Sequence, residues 1–306
     1  MLKGLKNVRT DLALEARESF EEDDVEIKGV ELTEEVIKDK DMKITTVIIK
    51  DEHGAKAMQK PMGTYITIEA QKLQKKDDEY HCEISEEIGR VLLKVIGDSG
   101  KDGVMIVGLG NREVTPDALG PWVVDNLFVT RHLIKEYGEE FKDKNHLSCV
   151  SALAPGVMAQ TGMEAVEIIR GIVKETKPSA ILAIDALAAR SVQRLNTTIQ
   201  ISDTGISPGA GIGNNRQALN EESLGVKVIA LGVPTVVDAT TIVCDSMGNM
   251  LNSQGFSDEE INKFLSEVTE HQSVHNMFVT PKNIDESMKA ISFTISEALN
   301  SCFHQI

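Results

Sequence analysis

The pattern of hydrophobic and polar positions divides the chain into a β-rich beginning and a longer part in which short apolar runs alternate with helical patterns. Two β-branched runs, KITTVIIK at residues 43–50 and TYITIE at residues 64–69, predict strands separated by a Gly- and Pro-containing segment. Apolar positions at residues 77–96 recur with helical spacing, and Gly97 marks the end of this predicted helix. We therefore expect a small β-rich subregion over residues 12–76, ahead of the main body of the fold.

The remaining pattern is typical of an α/β fold. Further strands are predicted at residues 104–107, 149–153, 180–184, 198–201 and 226–231. Helical patterns lie at residues 118–137, 160–175, 239–251, 258–270 and 284–300. Continuous apolar strands between helices predict a mostly parallel central sheet covered on both faces. Length alone leaves the domain count open, but the sequence shows no repeat and no low-complexity linker, so we expect one α/β domain over residues 12–306.

Composition and charge narrow the function classes. The 306 residues include 48 Asp and Glu against 32 Lys and Arg, a net charge of -16 that repels phosphate backbones. We therefore expect no direct nucleic-acid binding. No signal-peptide pattern and no apolar run of membrane-spanning length is present, which predicts a cytoplasmic protein without a membrane partner. The four cysteines are widely spaced and give no pattern for structural zinc or a disulfide framework.

A carboxyl group follows the most apolar of the predicted strands. Asp185 comes directly after the run AILAI, and the carboxyl ends of parallel strands are where α/β folds bind their ligands. Arg190 and Arg194 follow at helical spacing, so an ion pair that serves structure alone is the alternative. Asp185 is a candidate catalytic acid.

A second carboxyl group lies in the loop after the predicted strand at residues 104–107. Asp117 follows Pro116 in this Gly-bearing loop, just before the helix predicted from Ala118. Thr115 or Asp117 could instead cap that helix. If the strands at 104–107 and 180–184 are neighbours, Asp117 and Asp185 would face one crevice. Two adjacent carboxylates resist simultaneous ionisation, so one would hold a proton while the other activates water, which suits amide hydrolysis.

Two other kinds of site fit parts of the sequence less well. Gly108 and Gly110 resemble the opening of a dinucleotide fingerprint, but Glu113 occupies the position of its third glycine. The glycine-rich segment at residues 209–213 also departs from that spacing. No G-x-S-x-G motif or Cys–His pattern indicates a nucleophilic hydrolase.

A metal-dependent hydrolase is the closer alternative, because Asp117 and Asp185 could both ligate a divalent ion. Most catalytic zinc sites have a third protein ligand, and no H-E-x-x-H motif supplies one. His271 and His275 are four residues apart, but they lie in a polar segment predicted to be on the surface. We expect no metal and no other cofactor.

Several long strings of residues resemble the germination protease family of spore-forming bacteria, and the resemblance covers nearly the whole chain. The strings are VRTDLALEA at 8–16, VGLGN at 107–111, VTPDALGP at 114–121, APGVM at 154–158, AIDALAAR at 183–190, TIQISD at 198–203 and PTVVDA at 234–239. The resemblance implies an atypical aspartic endopeptidase with a phosphorylase/hydrolase-like, three-layer α/β fold. Asp117 and Asp185 match the two catalytic aspartates proposed for the family.

The same resemblance gives a meaning to the N-terminus. Family members are made as zymogens that remove a short pro-segment, and the matching junction is Asp11–Leu12, so residues 1–11 would be the pro-segment. The alternative is that Asp11 caps a helix at residues 12–20. The implied substrates are small acid-soluble spore proteins, degraded during germination. The implied location is the cytoplasm of the forespore and the spore core, and the implied assembly is a homotetramer. Arg190 and Arg194 are candidate readers of the acidic side chain before the cleaved bond, because a guanidinium suits a carboxylate.

Overall fold

A computed structural model describes residues 10–18, 27–75, 77–100, 103–209, 216–270 and 277–304. Within these ranges the strands all belong to one sheet. They are β1 (Val30–Ile37), β2 (Met42–Ile49), β3 (Gly63–Ala70), β4 (Val104–Gly108), β5 (Val150–Leu153), β6 (Ala180–Ala189), β7 (Thr198–Ser202), β8 (Lys227–Asp238) and β9 (Phe278–Val279).

The α-helices of the described ranges lie before, between and after these strands. They are α1 (Ala13–Glu18), α2 (Glu52–Met58), α3 (Asp78–Ile96), α4 (Leu119–Asp125), α5 (Arg131–Tyr137), α6 (Glu139–Lys144), α7 (Met158–Thr161), α8 (Ala165–Thr176), α9 (Glu221–Leu224), α10 (Ala239–Ser253), α11 (Asp258–Glu270) and α12 (Ile284–Phe303). In the described part of the chain, no helix combines the length and the apolar character needed to cross a bilayer.

The sheet is mixed, with the strand order β1-β2-β3-β7-β8-β6-β4-β5 and β9 paired to β8. Strands β8, β6, β4 and β5 run parallel, whereas β1, β2, β3 and β7 join by antiparallel pairing. The α/β prediction is confirmed, but a mostly parallel sheet describes only one half. The β-rich N-terminal strands form a meander that extends the same sheet, because β3 pairs with β7.

Helices pack against both faces of the parallel half. On one face, α3, α4 and α12 bury a large apolar cluster against residues such as Ile106, Ile184 and Leu231. On the other face, α8 and α9 pack against Met105, Ile181 and their neighbours. This alternation follows from the strand period of two, which sends successive side chains to opposite faces.

Two predicted helices are each divided in the structure. The one at residues 118–137 becomes α4 and α5. Between these helices, the hydroxyl oxygen of Thr130 accepts a hydrogen bond from the backbone N–H of Val150 at 2.9 Å, which connects this segment to β5. The one at residues 160–175 is interrupted at Gly162, which has φ +71°, and α8 restarts with a capping box between Glu164 and Glu167. The edge strand β1 was not predicted, because its sequence VELTEEVI is mostly polar and mostly exposed.

Candidate active site

Asp185 lies inside strand β6, because the apolar run continues to Ala189 and pairs with β8 beyond the end predicted at residue 184. The neighbouring strand β4 is shorter, and its last residue, Gly108, lies opposite Ile184. Asp185 is therefore one position past the carboxyl end of β4, on the face opposite Ile184. The residue is 6% exposed, and its Oδ1 accepts the backbone N–H of Ala186 at 3.0 Å.

Asp117 occupies the loop that leaves β4. It closes a short 3-10 turn, Thr115–Asp117, and its Oδ2 accepts the backbone N–H of Asn111 at 2.7 Å. No side chain caps α4, so the alternative in which Thr115 or Asp117 caps this helix is wrong. The Thr235 hydroxyl donates to the carbonyl of Pro116 at 2.6 Å and fixes the turn against β8. Because β4 and β6 are sheet neighbours, as the sequence analysis required, the loop carries Asp117 to the edge where Asp185 lies.

Close packing accounts for the glycines of this loop. A Cβ at Gly110, which has φ +109°, would lie 1.9 Å from the carbonyl oxygen of Asp117. A Cβ at Gly108 would lie 2.2 Å from the carbonyl oxygen of Gly120 in α4. Both glycines let the Asp117 turn and α4 lie directly on β4, which favours a packing role over phosphate binding. Of the second glycine segment only Gly209 is described, and residues 210–215 lie outside the described ranges.

The electrostatics of the two aspartates differ. Burial raises the pKa of Asp185 well above its ordinary value, and the charges of Asp117 and Asp11 raise this pKa further. The hydrogen bond from the Ala186 N–H and the charge of Arg216 lower it by less. Burial also raises the pKa of Asp117, while the Asn111 N–H and Arg216 lower it. Of these two aspartates, Asp185 is therefore the one that holds a proton more strongly.

The predicted junction lies on the same part of the sheet. The Asp11 backbone N–H donates to the carbonyl of Ala188 at 2.9 Å, and the Ala188 N–H donates to the Asp11 carboxylate at 2.8 Å. The carbonyl oxygen of Asp11 accepts from Lys60 Nζ at 3.0 Å and from Gln200 Nε2 at 3.2 Å. Residues 10–12 thus lie along β6, with the Asp11 carbonyl held by two side-chain donors. Residues 1–9 of the predicted pro-segment lie outside the described ranges.

Leu12 fills an apolar site immediately after the junction. It is fully buried and belongs to a cluster with Leu187, Leu195 and Val237. An open groove of about 630 Å³ adjoins this site, because Leu195 and Ile242 line the groove and also pack in the Leu12 cluster. Apolar side chains therefore enclose Leu12, and the groove lies beside this cluster.

Glu15, four residues after Asp11, is a buried carboxylate with several donors. It is 3% exposed and accepts the backbone N–H groups of Arg190 at 2.7 Å and Ser191 at 2.9 Å. The Thr10 hydroxyl also donates to it. Arg194 Nη1 lies 3.4 Å from Glu15 and the guanidinium makes a bidentate pair with Glu18 at 2.7 and 2.8 Å. These contacts fix the start of α1 against the end of β6.

The two arginines predicted near Asp185 have other acidic partners. Arg190 Nη2 lies 3.7 Å from Asp245, and Arg194 also lies 3.6 Å from Glu69. Neither arginine is among the charges that shift the pKa of Asp185. Arg194 contacts Glu15 and Glu18, which follow the Asp11–Leu12 bond.

Three residues of the site were missed by the sequence analysis: Lys60, Gln200 and Arg216. Lys60 and Gln200 contact Asp11 across 49 and 189 positions of sequence, and no short motif marks such contacts. Gln200 did carry a signal, because it is a polar residue inside the apolar strand TIQIS. Arg216 is a cation that closely follows the glycine-rich segment at residues 209–213, and loops of this kind often carry functional residues.

Among the described residues, no group of three or more His, Cys, Asp or Glu side chains has an arrangement that could hold a metal ion. His271 and His275 lie outside the described ranges. The charged groups that act on Asp185 are thus Asp117, Asp11 and Arg216.

Comparison with known proteins decides the family. The family model described as germination protease matches residues 8–266. The chain belongs to the germination protease family. A germination protease from Caldanaerobacter subterraneus subsp. tengcongensis is 47% identical, with 96% of this chain and 93% of the relative covered. Germination proteases from Clostridium perfringens strain 13 and Bacillus cytotoxicus are 43% and 39% identical, each with 94% of the relative covered and with 96% and 97% of this chain.

Among solved structures, a NiFe hydrogenase maturation protease from Thermococcus kodakarensis is similar over 59% of this chain and 97% of its own. Its sequence identity is 16% and the TM-score is 0.30, a likeness too distant to bear on the site of this germination protease family member.

Proposed function

We propose that this protein is an endopeptidase that removes its own residues 1–11 and then starts the degradation of small acid-soluble spore proteins during germination. Asp117 and Asp185 would hydrolyse the amide bond with a water molecule. The observation that carries the proposal is the position of the Asp11–Leu12 junction, because Asp11 is hydrogen-bonded to Ala188 in β6, the strand that also carries Asp185. Family membership supports the protease prediction over the nucleotide-binding alternative.

The different pKa shifts suggest separate roles for the two acids. Ionised Asp117 would take a proton from a water molecule while the oxygen of that water attacks the carbonyl carbon of Asp11. Protonated Asp185 would give its proton to the nitrogen of Leu12 as the carbon–nitrogen bond breaks. The products are a carboxylic acid at Asp11 and a free amine at Leu12. Proton exchange through solvent would then restore Asp185 to its protonated form and Asp117 to its ionised form.

The surroundings of the junction suggest what a substrate needs. An apolar residue after the cleaved bond would fill the Leu12 site. An acidic residue three positions further on would take the place of Glu15 and bind Arg194 and the backbone N–H groups of residues 190 and 191. We accordingly assign Arg194 to recognition on this side of the bond. Arg190 would contribute its backbone N–H.

The remaining parts of the proposal rest on the family resemblance. They are a homotetrameric assembly, action in the forespore and spore core, and a phosphorylase/hydrolase-like fold with a pro-segment at residues 1–11 and a single domain at residues 12–306. Light scattering of the purified chain tests the tetramer, and a monomeric mass at high protein concentration would contradict it.

Self-processing is expected to be intramolecular, because Asp11 contacts β6 and β7 of its own chain. Purified full-length chain under mildly acidic conditions, which favour the protonated form of Asp185, should yield a new N-terminus at Leu12. The first-order rate constant should not change on dilution. Intact-mass spectrometry over a dilution series measures both. A rate that rises in proportion to chain concentration, or cleavage at another bond, would contradict the proposal.

A metal-dependent endopeptidase using the same two acids makes a different prediction. In that case a chelator would stop processing and one specific divalent ion would restore it. The two-aspartate proposal predicts the same rate in chelator-treated and untreated samples, with thermal unfolding as a check that the chelator leaves the fold intact.

A further inference from the structure

Two side chains that no motif marks hold the carbonyl group of the proposed cleavage site. The Asp11 carbonyl oxygen accepts from Lys60 Nζ at 3.0 Å and Gln200 Nε2 at 3.2 Å. This is the oxygen that gains negative charge when water adds to the Asp11 carbonyl carbon. Two donors on one carbonyl oxygen are what acyl-transfer enzymes use to stabilise that charge.

Gln200 is held in the orientation that this role requires. Its Oε1 accepts the backbone N–H of Ala13 at 2.7 Å, so its Nε2 is the end directed at Asp11. Gln200 pairs with Gly232 in β8, and Gly232 pairs with Asp185 in β6. Directly paired residues share a face of the sheet, so Gln200 and Asp185 lie on the same face, two strands or about 10 Å apart. Gln200 thus contacts the junction from the face of the sheet that also carries Asp185.

Lys60 brings a positive charge to the same oxygen. It follows α2 after Gln59, whose φ of +51° turns the chain, and the Lys60 N–H donates to the carbonyl of Ala55 at 3.2 Å. Burial of the ammonium group lowers its pKa, and the charges of Asp11 and Glu15 act in the opposite direction. A cation enclosed by protein acts on a developing anion more strongly than a solvated one, because less water screens it.

We propose that Lys60 and Gln200 form the oxyanion hole of this protease, which stabilises the tetrahedral intermediate at Asp11 during self-processing. A protein substrate would place the carbonyl before its cleaved bond against the same two donors. The inference rests on the proposed function, because it takes Asp11–Leu12 as the bond that is cut. Lys60 and Gln200 would then be catalytic residues beside Asp117 and Asp185.

The chemical step stays balanced with these two residues as donors only. Water supplies the new carbon–oxygen bond, Asp117 receives its proton and the carbonyl π electrons move onto the oxygen between Lys60 and Gln200. When the intermediate collapses, those electrons return, the bond to the Leu12 nitrogen breaks and Asp185 supplies the proton for the leaving amine. Neither Lys60 nor Gln200 exchanges a proton in the cycle.

The competing explanation is that Lys60 and Gln200 only hold residues 10–13 in place. Two measurements on each full-length variant separate these roles: the single-turnover rate of self-processing, and the hydrogen-exchange protection of the Leu12 and Ala13 amides. Loss of an oxyanion donor lowers the rate and leaves the protection, whereas loss of a tether lowers both.

Three variants and a control carry the test. Lys60→Met removes the charge and the donor, and we expect a loss of about 10²–10³-fold in rate with protection retained. Lys60→Arg should recover part of that loss. Gln200→Glu keeps an acceptor for the Ala13 N–H but removes the donor, and a loss of about 10²-fold is expected. Lys56→Met, at an exposed lysine in the last turn of α2, should process at the wild-type rate.

The outcomes are distinct. A Lys60→Met rate within about threefold of wild type overturns the oxyanion assignment, since one donor of this kind contributes far more. A rate loss matched by an equal loss of protection also overturns it. If Lys60→Met does not fold, Gln200→Glu decides on the same two criteria. Wild-type chain that never cuts at Asp11–Leu12 would instead overturn the proposed function, and the oxyanion assignment with it.

Discussion

The Asp185→Asn chain is expected to lose self-processing by roughly 10²–10⁴-fold and to be more stable than wild type at neutral pH. The loss of processing follows because Asn cannot supply a proton to the Leu12 nitrogen. The gain in stability follows because burial and the charges of Asp117 and Asp11 disfavour an ionised Asp185. An Asn at this position can still accept the Ala186 N–H at its Oδ1.

The stability difference between the Asp185→Asn chain and wild type should depend on pH. The folded chain keeps a proton on Asp185 at a pH where the unfolded chain has released it, so protonation stabilises the fold at low pH. That contribution is complete below the ordinary carboxyl pKa of about 4 and is lost as pH rises through the raised pKa. The variant should therefore match wild type near pH 4. Towards pH 8 it should be more stable than wild type and show a higher unfolding midpoint.

Thermal unfolding across this pH range measures the effect, with the exposed Asp39→Asn chain as the matched control. The control should follow wild type at every pH and should process normally. An Asp185→Asn chain that is less stable than wild type at pH 8 would show that the carboxylate is stabilised there, and would contradict its role as the protonated acid.

The Arg194→Met chain is expected to be strongly destabilised. Arg194 has a side chain that is 11% exposed and lies against Glu15, Glu18 and Glu69. Burial opposes its charge, but hydrogen bonds to Glu18 and the three acidic charges raise its pKa overall. Removing the cation from this largely buried cluster leaves three neighbouring carboxylates without its compensating charge, which costs about 3–5 kcal/mol. In a chain of this size that lowers the unfolding midpoint by roughly 6–15 °C.

A matched arginine distinguishes this effect from general loss of charge. Arg112→Met breaks the exposed pair with Asp125 and should cost under about 1 kcal/mol. Arg194→Lys keeps the charge but loses the bidentate contact to Glu18, so an intermediate result is expected. Self-processing of Arg194→Met at the wild-type rate, measured below its unfolding midpoint, would contradict the assignment of Arg194 to recognition after the cleaved bond.

The local pattern was sufficient to find Asp185 but not to define its strand. A single charged residue after AILAI is visible in any hydrophobicity pattern. The strand nevertheless continues through ALAA to Ala189, because those small residues pair with the long strand β8. Strand pairing between distant segments decides such boundaries, and sequence alone does not give the partner.

Asp117 was identified mainly by the family strings, and the structure explains why the local pattern was ambiguous. Its position before α4 resembles that of a cap, but Gly110 lets its carboxylate turn back to the Asn111 N–H. Lys60, Gln200 and Arg216 reach the site from separate parts of the fold. Their positions depend on the order of β7, β8 and β6 as neighbours in one sheet. The alternation of strands and helices in the sequence predicts a sheet but not this strand order.

The most direct test of the two-aspartate mechanism is the intact mass of the full-length Asp117→Asn/Asp185→Asn double variant after incubation under conditions in which wild type loses residues 1–11. Thermal unfolding should first establish that the double variant is folded. The account predicts that its mass stays that of the uncut chain, while the Asp39→Asn control is cut at Asp11–Leu12. A folded double variant that loses the same eleven residues at the wild-type rate would contradict it.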